Sequence, residues 1–139
     1  MILESNKVLE IIPQKAPFIM VGDLLQADEN GLTSSFVIKE DNVLCENGAF
    51  STAGLIENIA QTCAAGFGYL AQKNGAEPQV GFIGSVTRLI AYNNPNAGET
   101  ITTSVKVITT FESITMIKGE SFLGEEKLLE CEMKIVIVE

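Results

Sequence analysis

The sequence predicts an α+β fold, with a curved antiparallel β-sheet wrapped around one long helix, and three observations lead there. Residues 52–73 are a proline-free run of mostly small and apolar residues that ends at Asn74-Gly75, as a long helix does. After it the hydrophobic pattern changes to a period of two, the signature of strands. A helix that is apolar on most sides needs a sheet curled around it, because only that arrangement covers it. With 139 residues, 46% of them hydrophobic, the chain has room for one domain, 1–139, with a sizeable core.

The elements follow in order. The stretch "PFIMVGDLLQADENGLTSSFVI" holds two apolar runs joined through Asn30-Gly31, a pair that tolerates the positive backbone angles of a tight hairpin. The segment "KEDNVLCENG" is polar and rich in turn formers. Ser51 or Thr52 then caps a helix running to about Lys73, a rod of about 33 Å at 1.5 Å per residue. That length could span a bilayer. However, Glu57, Asn58, Gln61 and Thr62 lie in its first half and no second hydrophobic segment accompanies it, so no membrane span is expected. Four strands follow. "QVGFIGSVTRLIAY" precedes the turn "NNPNAG"; from Ile101, the positions Ile101, Thr103, Val105, Val107, Thr109 and Phe111 share a face; "SITMIKGESFL" turns through "GEE"; and Leu129, Cys131, Met133, Ile135 and Ile137 alternate with Glu130, Glu132 and Lys134.

Composition removes several function classes. The net charge is -9, and the nine basic residues, a single arginine among them, are scattered, so nucleic acid and anionic membranes are not expected partners. The N-terminus lacks a basic region followed by an apolar run, and the three cysteines, Cys45, Cys63 and Cys131, have no C-x-x-C spacing. A cytoplasmic protein with reduced thiols is the expectation. The sequence contains no histidine, which excludes a Ser-His-Asp triad or a Cys-His dyad within one subunit, and neither a metal nor a cofactor is expected.

Glu57 stands out against this background. On a helix it shares a stripe with Asn58, Gln61 and Thr62, while Leu55, Ile56, Ile59, Ala60, Cys63, Phe67 and Leu70 take the other sides. A carboxylate drawn from water in apolar company has its pKa raised and can exchange a proton near neutral pH as general acid or base. The alternative is structural: Glu57 accepts hydrogen bonds from the backbone or from Gln61 and fixes the helix in register.

Three segments resemble the 3-hydroxyacyl-acyl-carrier-protein dehydratases. "LEIIPQKAPFIMVGDLL" is similar to their opening motif, "GLIENIAQTCAAG" to the start of their central helix, whose Glu-x-x-x-Gln falls on Glu57 and Gln61, and "VGFIGSVTRLIAYNNPNAGETI" to the next strand and turn. The resemblance implies a hot-dog fold, usually dimeric, and a thioester substrate on the phosphopantetheine of a carrier protein or coenzyme A, entering a tunnel at the dimer interface. It also implies a catalytic role for Glu57, assisted by Gln61, at the leaving hydroxyl. Backbone N–H groups of Ser51, Thr52, Ala53 and Gly54 would polarise the thioester carbonyl, and Arg88 would serve a phosphate of the arm unless it is simply a solvated strand residue.

The departures from that family concern the base. Its catalytic histidine lies in a Gly-His-Phe-Pro loop before the helix, where this chain has "LCENGAFSTAG", and Gln14 stands where the opening motif would put a second histidine. Cys45 in the replacing loop is a conceivable substitute, although carboxylates nearby favour its protonated form. Three functions fit: a dehydratase-like subunit, as a homodimer or as the carboxylate-bearing half of a heterodimer with a related hot-dog protein; a thioesterase using Glu57 without histidine; and a non-catalytic acyl-binding subunit.

Overall fold

The computed structural model describes residues 1–77 and 79–138. A short helix, α1 (Ser5–Val8), precedes the hairpin β1 (Leu24–Asp28) and β2 (Gly31–Val37). A small two-stranded ribbon, β3 (Cys45–Glu46) and β4 (Ala49–Phe50), leads into the long helix α2 (Thr52–Lys73). The strands β5 (Val80–Ala91), β6 (Thr100–Phe111), β7 (Ile114–Leu123) and β8 (Glu126–Val138) complete one six-stranded sheet of order β1-β2-β6-β7-β8-β5. All its pairings are antiparallel.

The helix begins and ends where its cap residues require. The Ser51 hydroxyl accepts a hydrogen bond from the Gly54 N–H at 3.1 Å, satisfying one donor of the first turn, and Gly75 takes the left-handed conformation (φ 78°) just beyond the last. Between those ends α2 packs against β1, β2, β5, β6 and β7. Leu55, Ile59 and Cys63 are buried in one core with Ile101, Val105, Ile117, Leu129 and Met133. The approach is close: a Cβ on Gly119 of β7 would stand 2.4 Å from the Ile59 side chain, so glycine there lets helix and sheet meet. Among the described residues no helix is long and apolar enough to cross a membrane.

The period-two pattern becomes a two-faced sheet. On β8, Leu129, Cys131, Met133 and Ile135 are buried, while Glu130 and Glu132 face out beside Glu120 and Lys118 of β7. Lys127 holds Glu120 at 2.6 Å and Tyr92 donates to Glu130 at 2.5 Å on that outer face. β6 departs from the expected single face. Ile101, Thr103 and Val105 are buried, but Val107 and Phe111 are exposed: Val107 still pairs with Ile117, and every residue from Lys106 to Phe111 is exposed, so this end of the strand is covered on neither face.

Two further local expectations are corrected. The first hairpin turns through Glu29 and Asn30 rather than Asn30-Gly31: Asp28 pairs with Gly31, and the Asp28 carboxylate accepts the Asn30 N–H at 2.8 Å. The stretch before Leu24, expected to extend the first strand, is irregular from Phe18 to Gly22: the Gly22 N–H donates to the Ser35 carbonyl of β2, but the Phe18 carbonyl and both backbone groups of Met20 bond to helix side chains. Asn58 Nδ2 donates to the Met20 carbonyl at 2.6 Å, and Gln61 Oε1 accepts the Met20 N–H at 2.7 Å. The same Asn58 accepts from the Thr103 hydroxyl on β6 at 2.5 Å, so helix, sheet and N-terminal segment meet at one buried amide.

Removing that amide leaves the Met20 carbonyl and the Thr103 hydroxyl unpaired. Asn58→Ala is expected to destabilise the fold by about 3 kcal/mol, read as a lower urea midpoint with an unchanged m-value. The core thiols give a second expectation. Burial pushes Cys63 up to about 12 and Cys131 up to about 11, from a usual value of 9.0. A raised thiol pKa stabilises the folded state below the unfolded value and ceases to do so as pH rises through the folded one, so thermal stability should decline as pH rises above about 9. Cys63→Ala/Cys131→Ala should flatten that decline, as followed by melting at a series of pH values.

Candidate functional site

A cavity of about 220 Å³ lies between α2 and the β5–β8 side of the sheet. Glu57, Ala60, Ala64 and Phe67 line it as one stripe of the helix, at the three- and four-residue spacings that keep side chains on a common side. Cys63 also borders it, Ile135 and Ile137 of β8 and Gly81 and Ile83 of β5 form the opposite wall, and Gln14 and Gln79 add two amides. Glu57 is therefore a half-buried carboxylate at a mainly apolar hollow.

Gln61 holds Glu57 in place. Its Nε2 donates to Glu57 Oε1 at 3.0 Å and to the Phe18 carbonyl at 2.9 Å, while its Oε1 accepts from Met20. Gln61 is fully buried, and each of its polar atoms is engaged by protein. It acts as a clamp that orients Glu57 and anchors the N-terminal segment. Glu57 Oε2 has no hydrogen-bond partner among the described residues and is the oxygen available to a ligand.

The other residues singled out from the sequence lie elsewhere. Ser51 caps the helix, and the Gly54 N–H is consumed by that cap while its Cα faces the Phe50 ring, where a Cβ would come within 2.6 Å. Thr52 accepts a long hydrogen bond of 3.4 Å from Asn94, and Ala53 is exposed. None of these four lines the Glu57 cavity within the single chain. Arg88 sits at an irregularity of β5 with φ 52° and a largely exposed side chain, its Nε 3.6 Å from the Glu132 carboxylate on the outer face. Cys45 is also remote from the cavity: it belongs to β3, its thiol lies 3.8 Å from the Lys39 carbonyl, and partial burial raises its pKa, which disfavours the thiolate a base or nucleophile needs. Cys63 borders the cavity as a protonated wall residue.

No cluster of His, Cys, Asp and Glu able to hold a metal ion occurs among the described residues. A second, wider groove of about 630 Å³ runs between the N-terminal segment and β2, lined by Ile19, Val21, Phe36 and Val37. Its carboxylates are Asp23, which accepts the Ser5 N–H at 2.8 Å, and the exposed Asp41, and neither belongs to the helix that carries Glu57.

What sequence reasoning missed at the site is its second polar group and its far wall. Gln14 had drawn notice only as the replacement for a histidine, and the β5 and β8 wall residues carry no sign of function in their types. The helical stripe could have been found, since Ala60, Ala64 and Phe67 follow Glu57 at helical spacing.

A long helix bearing a carboxylate and wrapped by a six-stranded antiparallel sheet is the hot-dog fold. The chain belongs to the ApeP-like family, described as ApeP dehydratase, which matches residues 6–137. Solved structures agree on the fold. The dehydratase heterocomplex ApeI:P from Xenorhabdus doucetiae superposes with a TM-score of 0.86 at 14% identity, covering 95% of this chain and 91% of the other. A hypothetical thioesterase with coenzyme A from Streptococcus pneumoniae gives 0.65 at 6% identity over 84% of each chain. The PaaI protein of the E. coli phenylacetic acid degradation operon gives 0.62 at 14%, over 82% and 81%. No protein of curated function matches significantly in sequence.

Proposed function

We propose that this chain supplies the carboxylate half of a dehydratase site for 3-hydroxyacyl thioesters, carried on phosphopantetheine, and that a histidine-bearing hot-dog partner supplies the base. The observation that carries the reading is Glu57, held by Gln61 with one oxygen free at an apolar cavity, in a sequence that contains no histidine. Dehydration needs two groups: a base for the proton beside the carbonyl and an acid for the leaving hydroxyl. Glu57 serves as the acid, and its apolar surroundings suit an acyl chain. No group at the cavity serves as the base, since Gln14 and Gln79 do not titrate and Cys63 is a buried thiol. The family description supports dehydration, and the heterocomplex formed by the Xenorhabdus proteins supports pairing with a different subunit.

The pairing surface is the free edge of β5. This twelve-residue strand pairs, among the described residues, with β8 alone and leaves Phe82, Leu89 and Ile90 exposed, with Arg88 as its sole charged residue. Natural sheets blunt such edges with charges, prolines or cover, so an unprotected apolar edge calls for a partner strand. A partner docked there would also close the Glu57 cavity, whose wall includes Gly81 and Ile83 of the same strand. Leu89→Lys/Ile90→Lys is expected to shift the assembled species toward monomer in light scattering, without loss of helical circular dichroism.

The function is tested by assaying 3-hydroxyacyl thioesters with the purified chain, with the histidine-bearing partner and with both. Dehydration is expected from the mixture and not from this chain alone. Glu57→Gln should cut the turnover of the mixture by about 10²–10⁴-fold while leaving the melting temperature within a few degrees. Robust dehydration by this chain alone, or unchanged turnover by the Glu57→Gln mixture, would falsify the assignment. Efficient thioester hydrolysis by the chain alone would favour a thioesterase instead.

A further inference from the structure

The Glu57 cavity is elongated, and its two ends differ in chemistry. The helix residues that line it begin at Glu57 and end at Phe67, ten residues and about 15 Å apart along the axis. Ala60 and Ala64 lie between them on the same stripe and leave a slot over the helix, because neither side chain extends beyond one methyl group. Phe67 is the one aromatic residue of α2 that borders the slot; Tyr69 does not, and neither does Leu70, the next residue of the stripe. The slot thus runs from a carboxylate to a ring.

The sheet gives the same extent. Ile59 lies against Gly119, and Gly119 pairs with Cys131, so Ile59 and Cys131 mark one level of the structure. From that level Phe67 is about 12 Å along the helix and Ile135 about 13 Å along β8, and both line the cavity, so they share its end away from Glu57. On the sheet side the lining continues past Ile135 to Ile137 and its partner Gly81, whereas on the helix it stops at Phe67. The ring, rather than the sheet, therefore limits the slot. An apolar cavity of about 150 Å³ takes up the six carbons of benzene, and by that measure the 220 Å³ here holds about nine carbons. Nine carbons in an extended chain span about 11 Å, given a bond of about 1.52 Å and tetrahedral angles, and fit between Glu57 and Phe67.

We propose that Ala60 and Ala64 receive the acyl tail beyond the hydroxyl-bearing carbon and that the Phe67 ring sets its length, at about nine carbons. This inference rests on the dehydratase reading above and extends it to the class of substrate. Glu57 meets the hydroxyl on the third carbon, so the tail starts at the fourth and the preferred substrates are 3-hydroxyacyl thioesters of up to about twelve carbons. The side chains of Ala60, Ala64, Phe67 and Ile135 hold no hydrogen-bonding group, so what they bind is hydrocarbon. Each methylene that enters the slot tightens binding by up to about fourfold, and one that meets the ring adds nothing.

The test uses the complex of this chain with its histidine-bearing partner and two ladders of pantetheine thioesters from four to sixteen carbons, 3-hydroxyacyl for turnover and saturated acyl for direct titration. With wild type, kcat/KM and affinity are expected to rise with length to about twelve carbons and then to fall. Phe67→Ala should raise the ratio of the sixteen-carbon to the eight-carbon value about tenfold, with Phe67→Leu between it and wild type. Ala64→Phe, which fills the slot short of the ring, should lower the ratio of the twelve-carbon to the six-carbon value about tenfold. A merely structural role would change every length by one factor and leave these ratios as they were, and that result in the two Phe67 variants overturns the proposal even if Ala64→Phe fails to fold. A wild-type profile that rises unbroken to sixteen carbons overturns it as well. Titration of the saturated ladder separates the proposal from the function itself. If the complex does not dehydrate but its length limit moves in Phe67→Ala, the dehydratase reading falls and the role of Phe67 stands. If it dehydrates every length equally well, that reading stands and the length limit falls.

Discussion

The structure depends on two amide side chains projecting from one side of α2. Asn58 and Gln61 together take the N–H and the carbonyl of Met20 and the carbonyl of Phe18, doing for an irregular segment what a neighbouring strand does in a sheet. Asn58 ties the same point to Thr103 on the sheet, and Thr62, one position beyond Gln61, bonds to Ser34 of β2 at 2.7 Å. Buried amides of this kind are costly unless every atom is paired, and when paired they specify a single arrangement. The helix, otherwise free to rotate or slide on an apolar sheet, is fixed by them in both respects.

That fixation is also what makes a site. Gln61 spends one N–H on the N-terminal segment and the other on Glu57, so the position of the carboxylate is set by the same side chain that anchors the core. The free oxygen of Glu57 then faces a hollow whose walls come from the helix, β5 and β8. Chemical capacity and stability are thereby coupled, and disturbing Gln61 affects both.

The charge distribution fits a protein that meets its partner through apolar edges. Acidic residues outnumber basic ones by 18 to 9, and those on β7 and β8 pair across the outer face, with Glu130 held below its usual range chiefly by the Tyr92 hydroxyl. The β5 edge by contrast is nearly uncharged. On the proposed reading, a carboxylate without a base, at a cavity bounded by an edge strand, is half of a shared site.

Where short-range rules governed, the sequence by itself was enough. The bounds of α2 follow from Ser51 and Asn74-Gly75, the alternation of β8 follows from its residue types, and Glu57 and Gln61 face each other because they are one helical turn apart. The long apolar helix followed by period-two segments was also sufficient to predict the wrapped sheet. Tertiary structure alone decided the rest. Phe18 to Met20 has the composition of a strand yet bonds to helix amides; the end of β6 from Lys106 to Phe111 is left exposed although its alternation continues; and Gln14 borders the Glu57 cavity although far from Glu57 along the chain. Each of these outcomes depends on which distant elements meet, and that is settled only when they pack.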